Sequence, residues 1–522
     1  MFSLDLEVLL PGVIGALSGI WLVVMLLRPT QRSLPPGPPP MPFIGNMLDM
    51  PTSKQWLRFT EWSKKYGLSA TIPDATTFGQ TVIVLSSPTD VKELFVNRAS
   101  NYSNRIQLVM AGLVGWRDGT GTMSPGEKFR AGRRFMTQIL GPHAAKDPGH
   151  LEAQDAVIAA TLRRIVQAKP HSGNIKAHLE SYHRMTVSII LRLTYGYDVR
   201  EDGDPFVKMA VDTLGVFQAI MQPGWLVDSF PILQYIPSWF PFADFKRKAN
   251  KWRQIVEGSR KKALQWTQEQ IDAGTAPACF AADLLADPDR MKDVALFSVV
   301  LGDILGGGSD TSMTAGSKLF LALALHPEIQ EKAQREIDLV TNGSTRLPVY
   351  DDKSQLPFLD ALVKEVFRWN TPITPLALPH CTAAGDEYKG YRIPKGAILF
   401  ANVWSIFENH EYYPDPHVFN PERFLEPDNG AGGVNEDPLH FAFGFGARQC
   451  PGRHLAENTQ WLLAAKLLAT CTVSDPRSAI TGQELTKTSV EYLPGIVSEP
   501  IPFTCRVVPR STAAEALLFE TL

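Results

Sequence analysis

The stretch from Asp293 to Leu325 restricts the fold of this chain more than any other, because it is apolar almost throughout. A segment of that length is either a membrane span or a long helix through the core of a large domain. Asp303, Asp310 and Lys318 interrupt it, and each charge would be costly in lipid. A core helix is therefore expected. Gly306, Gly307 and Gly308 stand at its middle, where each glycine costs about 1 kcal/mol relative to alanine. Such a run marks a local opening, or a place where something flat must approach the backbone closely. Ser309, Asp310, Thr311 and Ser312 follow directly. Thr311 can bond back to a preceding carbonyl or to something lying in the gap.

The rest of the chain fits one large folded body. Its 522 residues are 44% hydrophobic and 20% charged, the balance of an ordinary globular protein. Most of the middle reads helical, with short β-type runs at Thr81–Leu85 and near Ala397–Phe400. The formal charge of -3 argues against a nucleic-acid partner. Five scattered cysteines (Cys279, Cys381, Cys450, Cys471 and Cys505) form no CxxC pair, so neither a zinc site nor a disulfide framework is indicated.

The N-terminus carries a different signal. Val8 to Leu27 is uncharged and, at 1.5 Å per residue, long enough for a hydrocarbon core of ~30 Å. A cleaved signal peptide would usually have a shorter apolar region and a small-residue cleavage site. Asp5 and Glu7 precede the span while Arg28 and Arg32 follow it, which places the bulk of the chain on the cytoplasmic side. Pro35, Pro36, Pro38, Pro39, Pro40 and Pro42 come next; they fix φ and remove backbone donors, making a stiff spacer. The expected division is an anchor over 1–34 (span about 8–27), a hinge over 35–45 and a catalytic domain over 46–522.

The segment FGFGARQCPG, Phe443 to Gly452, sets one cysteine among three glycines. Upstream, Glu365 and Arg368 are three apart on a predicted helix from Pro357 to Trp369 and share a face. Alone, such a pair is weak evidence. Together these pieces resemble the cytochrome P450 monooxygenases. Phe443, Gly446, Arg448, Cys450 and Gly452 match that family's FxxGxRxCxG haem loop. Residues 307–312, GGSDTS, match its oxygen-activation motif, and Glu365 with Arg368 its ExxR pair. PERF at Pro421–Phe424 supplies Arg423 as the third partner.

The resemblance implies a mainly α fold with small β-sheets, a single haem-thiolate domain behind an N-terminal transmembrane helix. The cofactor implied is haem b, with the thiolate of Cys450 as axial iron ligand, pushing electron density to favour O–O cleavage. Haem propionates need cationic partners; Arg448, Arg133, His380 and Arg105 are the residues implied. One departure is Phe129, where the family usually has tryptophan, since phenylalanine has no N–H to donate to a propionate. Thr311 would hold the distal hydrogen-bond network and Asp310 would bring protons from solvent. Glu365, Arg368 and Arg423 would form a buried structural network rather than a catalytic one.

The activity implied is monooxygenation with O2 and electrons from NADPH. They would pass through a separate NADPH-cytochrome P450 reductase, with cytochrome b5 as an optional second donor, at the endoplasmic reticulum membrane. Two alternatives are a reductase-independent haem-thiolate isomerase or dehydratase, and a haem sensor without turnover. Against the former stands the intact Asp310-Thr311 pair. The expected pocket segments are 106–116, 217–225, 301–305, 373–378 and 493–497, with Leu305, Gly307, Ile373, Leu376 and Ile496 facing substrate. They are mostly aliphatic, which suits a lipophilic small molecule. FRWNTP, PLALPH and GYRIPKG are similar to fungal secondary-metabolism members of the O-methylsterigmatocystin oxidoreductase-like group. That resemblance implies a terpenoid, polyketide or indole-type substrate, terpenoid first.

Overall fold

The computed structural model describes residues 34–41, 45–67, 69–76, 80–167, 176–200, 203–222, 224–343, 345–369, 373–425 and 433–520. The expected span over 8–27 and part of the proline hinge lie outside them. The longer helices are α1 (Gln55–Tyr66), α2 (Glu127–Leu140), α3 (Pro148–Gln167), α4 (Lys176–Tyr195) and α5 (Pro205–Met221). They continue with α6 (Asp244–Asp272), α7 (Val294–Leu325), α8 (Pro327–Val340), α9 (Pro357–Arg368) and α10 (Arg453–Thr470). Eight strands accompany them: β1 (Ser69–Thr76), β2 (Gln80–Leu85), β3 (His380–Cys381), β4 (Asp386–Tyr388), β5 (Tyr391–Ile393), β6 (Ile398–Ala401), β7 (Cys471–Ser478) and β8 (Phe503–Pro509). The mainly α expectation holds.

The apolar stretch forms α7, unbroken through its three glycines. Among the described residues it is the one helix long and apolar enough to cross a membrane. It runs instead through protein, packing on α2, α4, α5, α6, α9 and α10. Its lower half shares a core with Trp461 to Leu468 of α10 and with Met185 and Ile189 of α4. Fully buried Phe320 and Trp461 each contribute roughly 1.5–3 kcal/mol by leaving water. Gly308 sets the approach of α4: a Cβ there would lie 2.6 Å from Ile190 Cδ1. Pro327 at the start of α8 ends α7, because proline has no N–H to continue the ladder.

The three charges of α7 are handled differently. Asp303 faces Arg260 of α6 at 3.6 Å, and Asp310 accepts from Gln218 of α5 at 2.8 Å. Lys318 Nζ is buried with no hydrogen-bond partner, and desolvation lowers its pKa to about 7.

One four-stranded sheet runs in the order β1-β2-β6-β3. The expected runs are its centre: β2 pairs in parallel with β6, Val82 opposite Ile398 and Leu85 opposite Ala401. β3 pairs antiparallel with β6, His380 opposite Leu399, and so carries His380 into the interior. β4 with β5, and β7 with β8, form two separate hairpin sheets.

Candidate active site

The cysteine loop is built by backbone constraints. Gly444 and Gly446 have φ of 72° and 52°, a region costly for side chains. A Cβ on Gly446 would also fall 2.2 Å from the carbonyl oxygen of Phe95. With the turn closed this way, Cys450 N–H donates to the Phe443 carbonyl at 2.7 Å. Cys450 is exposed, yet the protein packed around it raises its thiol pKa through desolvation. The Gly452 N–H and nearby Arg133 oppose that rise.

Beside the loop lies a buried cluster of cations. Arg448 donates to the carbonyls of Ser103 (2.7 Å), Thr120 (3.1 Å) and Met123 (2.7 Å). Its guanidinium sits 4.1 Å from the Phe129 ring centroid, so the phenylalanine that replaces tryptophan packs on the arginine itself. Arg105 donates to Gly121 (3.0 Å), Leu378 (2.6 Å) and Pro379 (2.7 Å). Arg133 donates to Gln449 at 2.7 Å. Burial, then Arg448, lowers the Arg105 pKa to about 9; burial, then Arg133, lowers Arg448 to about 10. His380 stacks on Phe95 at 3.9 Å, its Nδ1 2.7 Å from the Tyr102 carbonyl. Desolvation and then Arg105 push it down to about 3, so it stands there as a neutral imidazole donating through Nδ1–H. None of the three arginines is paired with a carboxylate among the described residues.

α7 stays helical through its glycines but leaves space beside them. Gly307 is exposed between buried Gly306 and half-buried Gly308, and a Cβ there would meet nothing within 4 Å. Thr311 Oγ1 donates to the Gly307 carbonyl at 2.9 Å, the first of its two expected bonds. Trp116 covers the run, its Cη2 3.8 Å from where a Gly306 Cβ would lie, and its ring is 5.0 Å from that of Phe217. A small cleft is lined by Ile106, Leu108, Ala111, Met221 and Leu378 together with Arg105 and Arg117. Three expected pocket segments thus meet. Leu305 and Ile373 are packed into core clusters, Leu376 packs beside Ile106 and Phe400, and Ile496 is half-buried.

Glu365, Arg368 and Arg423 come together as expected from their motifs. Arg368 grips Glu365 with two bonds of 2.7 and 2.8 Å, both side chains at 0% exposure. Arg423 Nε reaches Glu365 at 3.3 Å, and the Asn420 N–H adds a bond of 2.8 Å.

The cytochrome P450 family model matches residues 35–496. The chain belongs to the cytochrome P450 family. Among relatives, cytochrome P450 monooxygenase 98 of Postia placenta is 37% identical over 97% of this chain and 96% of its own length. Cytochrome P450 monooxygenase claR of Ampulloclitocybe clavipes is 36% identical over 94% and 88%. The tryptamine 4-monooxygenase of Psilocybe cyanescens is 34% identical over 93% and 94%. This P450 is thus a monooxygenase of the fungal secondary-metabolism type. Its family uses haem with electrons from NAD(P)H delivered through a reductase.

The residues present fit that cofactor. A reachable, desolvated thiol suits an iron ligand, and buried guanidiniums without a carboxylate suit two propionates. When bound, haem supplies the oxygen-activating redox chemistry. Motif reading missed Phe129 as a stacking partner, Thr120 as an acceptor for Arg448, and Glu499, which hydrogen-bonds the Asp310 carboxyl. The acidity of Glu499 next to the expected segment 493–497 was the available signal for the last.

Proposed function

We propose that this P450 oxidises a neutral lipophilic metabolite, a terpenoid before a polyketide or an indole, at the opening beside Gly307. The carrying observation is that the acids near that opening are already engaged. Asp303 is bonded to Thr120 and faces Arg260, and Asp310 is bonded to Gln218 and Glu499. An alkylammonium substrate is best met by a carboxylate free of other hydrogen bonds, whereas Trp116, Phe217 and Ile106 offer apolar surface to a neutral one. Cys450 would hold the iron, and Arg448, Arg133 and Arg105 would pair with the propionates, with His380 as their neutral neighbour. Asp310 and Thr311 place protons. Electrons come from NADPH-cytochrome P450 reductase, with cytochrome b5 as a second donor. A binding-spectrum screen of the haem-loaded protein tests the substrate class: sesquiterpenes and diterpenes should give a substrate-induced spectral change at lower concentration than tryptamine. The reverse order would favour the indole reading.

Attachment to the endoplasmic reticulum membrane by the segment 8–27, with the catalytic domain cytoplasmic, belongs to the same proposal. Support comes from an exposed apolar patch between α5 and α6. Ile232, Tyr235, Trp239 and Phe242 are 72%, 75%, 78% and 91% exposed, an unusual density for a surface facing only water. Removing residues 1–33 should leave residual membrane affinity that Trp239→Ser with Phe242→Ser abolishes.

A further inference from the structure

Glu499 is held in place by backbone on both sides. It ends a hairpin closed by the Tyr492–Pro500 bridge, and its carbonyl accepts the Leu493 N–H at 2.8 Å. Next to it, Ser498 N–H donates to the Ile373 carbonyl at 2.8 Å, and Ser498 Oγ to the Leu493 carbonyl at 3.1 Å. From this fixed base the Glu499 side chain meets the Asp310 carboxyl. On the other side, Gln218 Nε2 donates to Asp310 Oδ2. Asp310 is 4% exposed, while Glu499 is half-buried and so the more solvent-accessible of the two.

Two carboxyl groups in contact, one buried and the other half-buried, oppose double ionisation, so one proton holds them together. Among the described residues, none of the nearby cations pairs with either carboxyl. Arg260 of α6 faces Asp303, Lys318 sits near Arg368 and Glu365, and burial lowers the pKa of His183 of α4, disfavouring its charged form. Gln218 is the remaining polar neighbour, and it is uncharged.

We propose that Asp310 and Glu499 share a proton, with Glu499 as the solvent-side member that reloads Asp310 after each transfer toward Thr311. The proposal rests on the monooxygenase reading. Asp310 gives up its proton and keeps the O–H electron pair. The Glu499 O–H then breaks, its proton moves onto Asp310, and hydronium re-protonates Glu499, leaving water. No electron is transferred in the exchange. Glu499 acts through Asp310 and is a positioning residue. The acidities agree: burial raises Asp310, and burial followed by Asp310 pushes Glu499 up to about 7. At neutral pH the pair therefore holds a proton that it can release.

The test uses the full-length holoenzyme as wild type, Glu499→Gln and Asp310→Asn. Infrared titration in H2O and D2O should show a protonated carboxyl with a near-neutral midpoint. Either substitution should lower that midpoint by about one pH unit or more, since the neighbour is no longer negative. With reductase and substrate, Glu499→Gln should give severalfold less product per NADPH, while the substrate binding spectrum stays unchanged. The pH profile of this ratio should lose its near-neutral limb. An unmoved infrared midpoint in Glu499→Gln overturns the shared proton. A moved midpoint with an unchanged product ratio overturns the reloading role. Should the wild type oxidise nothing, the monooxygenase reading fails instead, and the infrared titration alone still decides the pair.

Discussion

Asp303 Oδ2 accepts both the backbone N–H of Thr120, at 2.6 Å, and its hydroxyl, at 2.8 Å. The carbonyl of the same threonine accepts from Arg448. One residue of the loop before α2 thereby ties the core helix to the cysteine loop, so the two sides of the site are positioned together. Asp303→Ala should remove this clasp and leave Arg260 buried without its counter-charge, a loss of about 3–5 kcal/mol. Hydrogen exchange at the Thr120 amide should accelerate, and the thermal midpoint should fall. Unchanged protection at Thr120 would show that the loop is held by other contacts.

Glu365 carries a different burden. Its two oxygens accept four hydrogen bonds, from Arg368 twice, Arg423 and Asn420. Glu365→Ala strands two guanidiniums in the interior, again about 3–5 kcal/mol. The expected result is little soluble, haem-loaded protein. Full haem content with slow turnover would move Glu365 from the structural to the catalytic side.

For Thr311, the 2.9 Å bond to the Gly307 carbonyl satisfies the hydroxyl proton and leaves oxygen lone pairs for a second partner. Thr311→Ala should preserve haem content and substrate-induced spectral changes while lowering the ratio of product to NADPH consumed. More of the NADPH should end as hydrogen peroxide. An unchanged ratio would confine Thr311 to the helix bond.

The shifted acidity of Glu499 also predicts how stability depends on pH. Its pKa rises from an ordinary 4.5 to about 7, by burial first and Asp310 second. Folding therefore retains a proton that the unfolded chain releases. This contribution is complete below about 4.5 and is lost as pH rises through 7. Glu499→Gln has no such titration. The midpoint of the variant minus that of wild type, at one scan rate, should grow between pH 5 and 8 and then level off. A difference independent of pH would contradict the assignment.

The parts of this site legible in the sequence are those whose chemistry fits within one turn or one tight loop. Cys450 is separated from Gly446 and Arg448 by a spacing that a backbone turn dictates, and Glu365 meets Arg368 by helical geometry alone. The glycine run announced the opening in α7 because it contradicts helix propensity. The partners from distant chain segments were not legible. Glu499 reaches Asp310 through a hairpin whose seat depends on a bond from Ser498 to Ile373. Phe129 looked like a lost donor, yet it stacks on Arg448, because the arginine spends its N–H groups on three carbonyls. Those relationships arise from how loops pack, not from local pattern.

Two glycines of the site should respond oppositely to the same added methyl group. At Gly446 the backbone has φ of 52°, and the new Cβ would stand 2.2 Å from the Phe95 carbonyl oxygen. Backbone rather than a flexible side chain would have to move, so the turn that aims Cys450 would open. Gly446→Ala should lose thiolate-type absorption of the ferrous carbon monoxide complex and much of its haem. Gly307 is the reverse case: the new Cβ meets nothing within 4 Å, and alanine is favoured over glycine in a helix by about 1 kcal/mol. Gly307→Ala should fold with an equal or higher thermal midpoint and full haem content. The methyl would nevertheless project into the opening beside Thr311, so substrate affinity, read from binding spectra, should fall. A Gly307→Ala protein that binds substrate as tightly as wild type would mean that substrate does not approach this face of α7.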